Sequence, residues 1–163
     1  MRSIEIEKIK NFTTALFARD TFDGFLVTEA SFSTITNITI DGHINQEFMG
    51  EADLALPENK EKAIYWKRLR PLCYEIIKGQ KVPLRFKIVF MMPSDIVLKF
   101  LDNAGLDFEP IEVNALFLNI NFQEGKLNCT TGTSMKAFTL DKSLEDAWDS
   151  QMVRFLDRVQ NPR

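Results

Sequence analysis

Residues 1–80 and 81–163 read as one succession of elements used twice: a strand, a helix, short strands, and a closing helix. No other feature constrains the fold as tightly. Short strands joined in hairpins pair antiparallel, and helices set between them must cover a sheet rather than alternate with every strand of it. The expectation is an α+β fold with a largely antiparallel sheet and helices packed on one face.

The first module opens with the strand Ile4-Glu5-Ile6 and enters a helix whose apolar residues Ile9, Phe12, Leu16 and Phe17 fall at helical spacing. Strand-like runs from Phe25 to Phe48 follow, and a basic helix near 59–78 closes the module. The second module opens with Val82, Leu84, Phe86, Ile88 and Phe90 alternating against Pro83, Arg85 and Lys87, the period of a half-buried strand. Pro93 then begins a helix with Ile96, Val97, Phe100 and Leu101 on one face and Gly105 as its stop. Leu116, Leu118, Ile120 and Phe122 alternate with Phe117, Asn119, Asn121 and Gln123 up to Glu124-Gly125, a tight turn into Leu127, Cys129 and Thr131. A further strand is predicted over Met135 to Leu140. Ser143 and Asp146 form a weak capping box for the last helix, which shows Leu144, Trp148, Met152, Phe155, Leu156 and Val159 on one side. Identity between the modules is slight: Gly42 and Phe48 match Gly132 and Phe138 at one offset, and Trp66 matches Trp148 at another. A true repeat and two similar halves of separate origin both fit.

With 163 residues, 45% of them hydrophobic, the chain is long enough to bury a core as one domain over 1–163. Residues Gly50 to Asn59 are its least periodic stretch. No apolar run has the length of a signal peptide or a membrane span, so no membrane association and a cytoplasmic location are expected. Cys73 and Cys129 fall on apolar faces and read as buried free thiols rather than a disulfide or a nucleophile. His43, the one histidine, follows Asp41-Gly42 and reads as a hairpin side chain.

Charge is unevenly spread. From Lys60 to Lys87 there are nine basic and two acidic residues, +7, while the remainder carries 11 basic and 21 acidic residues, −10, giving the net −3. Lys60, Lys67 and Lys78 stack on a helical wheel opposite Tyr65, Leu69, Leu72, Cys73 and Ile76, with Arg68 and Arg70 on the flanks. This stripe is either a solvated helix face or a contact surface for an acidic protein, a phosphorylated ligand or nucleic acid. Pro71 inside the helix predicts a kink or two shorter helices.

Three polar groupings are weaker signals. Thr130-Thr131-Gly132-Thr133-Ser134 could cradle an anion in a turn, but it lacks the lysine and following helix of a phosphate loop and reads better as a strand connection. Asp20 and Asp23 could act as acid and base, yet their spacing suits a capped turn. Asn119, Asn121 and Asn128 belong on the solvent face of the hairpin. No residues are assigned as catalytic or metal-ligating, and no cofactor is implied.

Several of these runs also carry a resemblance. Asp20-Thr21-Phe22-Asp23, Thr39-Ile40-Asp41-Gly42, Leu69 to Cys73 with Ile77-Lys78-Gly79, Cys129 to Ser134, Phe138 to Glu145 and Ala147-Trp148-Asp149 resemble a family of short bacterial proteins catalogued only as a domain of unknown function. That resemblance implies a bacterial single-domain protein and brings no activity. The element order also resembles a sliding-clamp domain, whose helices face nucleic acid. Against that role, the second helix carries Asp95 and Asp102 where a phosphate-tracking surface should be basic. The functional expectation is a non-enzymatic binding protein using the 60–87 surface. The alternative is an enzyme for a phosphorylated or anionic small molecule, with Arg68, Arg70, His43 and Thr130 to Ser134 around one pocket.

Overall fold

The computed structural model describes residues 1–79 and 81–162. Its seven strands form one antiparallel sheet. They are β1 (Ser3–Ile6), β2 (Leu26–Ser33), β3 (Asn37–Asp41), the two-residue β4 (Ile64–Tyr65), β5 (Arg85–Met91), β6 (Val113–Gln123) and β7 (Lys126–Met135). The spatial order is β1-β7-β6-β5-β2-β3, with β4 pairing onto β2. The helices are α1 (Ile9–Thr13), which continues as a π turn over Thr14–Ala18, α2 (Glu51–Ala55), α3 (Trp66–Ile77), α4 (Ser94–Ala104) and α5 (Ser143–Gln160).

Alternation drives the layering, because antiparallel register puts paired residues on the same face. Ile6, Leu127, Phe122, Phe86 and Phe32 form one row across five strands, and Ile4, Cys129, Ile120, Ile88 and Ala30 form the next. Phe86 and Phe122 stack with centroids 5.3 Å apart at 16°. Onto these rows pack Phe12 and Leu16, Trp66 and Cys73, Phe100 and Leu101, and Leu144, Trp148, Met152 and Leu156, so α1, α3, α4 and α5 share one face. On the other face, the segment between β3 and β4 covers Leu26, Met91 and Ala115 with Ala63, in a small second cluster.

Local signals held where the chemistry was unambiguous. Glu124 and Gly125 take φ of 54° and 75°, the double left-handed turn that a two-residue hairpin requires. Leu118, Ile120 and Phe122 are buried while Asn121 is exposed. Gly105 closes α4 at φ 63°. Other expectations need correction. The run Val82 to Phe90 becomes a strand only from Arg85, and Val82 and Leu84 are 75% and 68% exposed. β7 ends at Met135 and no strand follows over Lys136 to Leu140; Phe138 and Leu140 lie in solvent. The hydroxyl-rich Thr130 to Ser134 is not a turn but the body of β7. Ser143 does not cap α5; its amide donates to the Asp141 carboxylate at 2.9 Å. The basic helix starts at Trp66 rather than near 59, and it runs unbroken through Pro71. The donor that Pro71 lacks would have served the carbonyl of Lys67, an exposed first-turn residue that water can reach.

Asp41-Gly42 is not a hairpin turn either. The chain continues beside β2, with the Gly42 amide donating to the Thr28 carbonyl at 2.9 Å and the Ile64 amide to the Gly42 carbonyl at 2.8 Å. A Cβ on Gly42 would lie 1.9 Å from the Val27 carbonyl oxygen, so close backbone approach demands glycine.

The two halves share the order strand, helix, strand, strand at their starts, but α2 and β4 have no counterpart in the second half and the pairing differs. β5 pairs with both β6 and β2, which fuses the halves, while β1 leaves its own half to pair with β7.

Candidate anion-binding groove

The basic segment does not form one surface. Lys60 ends a 3₁₀ turn ahead of α3, and Lys67 and Arg68 are exposed in the first turn of α3. Lys78, just past the helix, pairs with Glu75 at 2.7 Å. Arg85 and Lys87 project from the opposite side of the sheet, since Phe86, Ile88 and Phe90 between them are buried. Arg70 is not a free cation. Its Nε and Nη2 donate to the two carboxylate oxygens of Asp23 at 2.8 and 3.0 Å, and the side chains are only 23% and 12% exposed. The hydrogen bonds to Asp23 raise the guanidinium pKa further, against a smaller opposing effect of burial.

The pocket required for an enzyme does not assemble. His43 pairs with Asp41, Nδ1 to Oδ1 at 2.6 Å, and bridges to Ala63 beside β2. His43 continues β3, and β2, β5 and β6 lie between β3 and β7, so Thr130 to Ser134 sit about 19 Å away, four strand spacings across the sheet. Thr131 is buried and donates to Asp149 at 2.5 Å, tying β7 to α5. Burial pushes the Cys73 thiol up to about 12 and the Cys129 thiol higher still, so neither is poised as a nucleophile.

A different cluster converges at the junction of α1 with the C-terminal end of α5. The Glu7 and Lys8 amides donate to Gln160 Oε1 at 3.0 and 3.1 Å, and the Asn11 side-chain amide donates to the Gln160 carbonyl at 2.9 Å. After α1 the helix widens into the π turn. Ala15, Leu16 and Phe17 are buried in succession, an arc too wide for an α-helix to face inward at about 100° per residue. The Leu16 carbonyl accepts from Trp66 Nε1 at 2.9 Å, which fixes the turn against α3. The loop that follows is anchored by Phe22, stacked on Phe90 at 5.4 Å and edge-on to Phe12 and Phe155.

These restraints shape a groove of about 360 Å3. Lys10, Arg19 and Arg158 supply its charge, Asn11, Thr14 and Thr21 its neutral polar groups, and Ala15, Phe155, Val159 and Pro162 its apolar walls. No carboxylate lines it among the described residues. Among the described residues, none of its three cations makes an ion pair. Arg158 lies 139 residues from Arg19, so nothing short of the tertiary fold joins them.

Among the described residues, no helix is long and apolar enough to cross a membrane. A family model described as Family of unknown function (DUF5721) matches residues 15–161. No curated protein and no solved structure matches the chain.

Proposed function

The chain belongs to that family of unknown function, which carries no activity to transfer, and from the groove we propose that it is a binding protein for an anionic ligand. One observation supports the reading above the others: three cations line a single concavity with no carboxylate among its described residues. Evenly distributed charges would balance locally in a chain of net charge −3. Cations left without partners in a concave site raise the local concentration of anions and hold them through charge-assisted hydrogen bonds. Binding rather than turnover is favoured because the lining offers N–H and O–H donors but no cysteine, histidine or carboxylate to move a proton near neutral pH. In the 60–87 segment, Lys60, Lys67 and Arg68 are exposed and, among the described residues, make no ion pair, and they form a secondary contact for an acidic partner.

Calorimetric titration with pyrophosphate at low and moderate salt tests the reading. The native protein should bind, more weakly as salt rises, and a Lys10→Ala, Arg19→Ala, Arg158→Ala triple variant should not, with its melting curve unchanged. Binding that survives in the triple variant would move the site elsewhere. No binding at low salt would end the proposal.

A further inference from the structure

We infer that the groove takes a phosphate monoester whose organic part is apolar, an inference that rests on the anion-binding reading above. Four of the ten lining residues, Ala15, Phe155, Val159 and Pro162, have no use for a bare inorganic anion. Phe155 is half-buried and held from its inner side by Phe22 and Phe25, at 5.4 and 5.5 Å, so it offers the groove a fixed apolar wall beside Ala15 and Val159. A rigid wall costs little further ordering when a ligand packs on it.

Charge selects the head group. A phosphate monoester carries about −1.5 to −2 at neutral pH, which suits three cations better than the single charge of a carboxylate. Thr14 and Thr21 add hydroxyl donors for a tetrahedral oxyanion. The C-terminal end of α5 would ordinarily repel such a group. Two of its last four carbonyls are already occupied: that of Gln160 accepts from Asn11, and that of Asp157 accepts from the Asn161 amide at 2.9 Å. The groove lies at the small end of the usual range for ligand sites, about 300–1,000 Å3, which admits a phosphate with one ring or a short chain and excludes a dinucleotide.

The test is a calorimetric comparison of phenyl phosphate, inorganic phosphate and benzoate on the native protein, on Arg158→Ala and on Arg19→Gln. Phenyl phosphate should bind about tenfold or more tighter than inorganic phosphate, the effect of taking one ring out of water. Benzoate should bind more weakly than phenyl phosphate, and both variants should lose most of the phenyl phosphate affinity while melting as the native protein does. Equal affinity for phenyl phosphate and inorganic phosphate would overturn this inference and leave the anion-binding reading standing. Binding of neither would remove both. Sedimentation with phosphatidylcholine vesicles carrying phosphatidic acid separates two sources of the same chemistry. Vesicle binding displaced by phenyl phosphate assigns a lipid head group, and binding of the soluble ester alone assigns a free metabolite.

Discussion

Removing Arg70 should destabilise the protein by more than a surface charge normally does, and the amount can be worked from the geometry. The fork to Asp23 is bidentate, with bonds of 2.8 and 3.0 Å, and joins α3 to the loop that carries Arg19 and Thr21. Fully exposed pairs contribute about 0.2–1 kcal/mol, whereas breaking a buried pair costs about 3–5 kcal/mol because it strands a charge. At 23% and 12% exposure this pair lies between the limits, so Arg70→Ala should cost about 2 kcal/mol. For a chain of this length that lowers the melting temperature by about 4–8 °C. Arg70→Lys should recover only part, since an ammonium cannot make the fork. Urea unfolding of Arg70→Ala, Asp23→Ala and the double variant gives the coupling directly, expected at about 1–2 kcal/mol. Strict additivity, or a coupling that vanishes in moderate salt, would show the pair to be an ordinary surface contact and refute the argument.

Gly42→Ala should be severely destabilising in urea unfolding, since its Cβ would meet the Val27 carbonyl oxygen, whereas Gly24→Ala, with nothing within 4 Å of the added carbon, should be nearly neutral. Cys73 and Cys129 should resist a disulfide-exchange reagent in the folded protein at pH 8 and react fully in denaturant; fast labelling of either under native conditions would contradict its burial. Asp141 is held below its ordinary value of 3.8 chiefly by the Ser143 amide, so its contribution is present above that value and lost as pH falls below it. Acid unfolding of Asp141→Asn should accordingly show a shallower pH dependence below pH 4. Phe155→Ala should lower the melting temperature sharply, because the ring packs against both Phe22 and Phe25.

Period-two alternation was legible wherever both neighbours of a strand existed, as in Leu116 to Cys129, because burial on one face leaves a direct imprint on residue type. It misled at Val82 and Leu84, where apolar residues alternate but the strand has not begun, and beyond Met135, where a strand-like run finds no partner strand. Both failures concern partners rather than propensity, and partners lie far away in sequence. The site followed the same rule. A local excess of charge from Lys60 to Lys87 was easy to see, yet the sheet divides it and Asp23 and Glu75 neutralise part of it. The groove instead needs Lys10, Arg19 and Arg158, which no window of sequence contains together.

The placement of β1 against β7 has a consequence during synthesis. Residues 3–6 leave the ribosome early, but their partners, Leu127 to Thr130, are made only after another 120 or so residues, a delay of about 6–24 s at ordinary elongation rates. Over that interval β1 has no strand to join, and β2 waits likewise for β5. The first half therefore emerges as a chain with exposed sheet edges rather than as a finished module, and a break at residue 80 would separate strands that need each other. Whatever holds the nascent segment soluble must do so until the last hairpin appears, which ties the yield of folded protein to elongation speed through its C-terminal third.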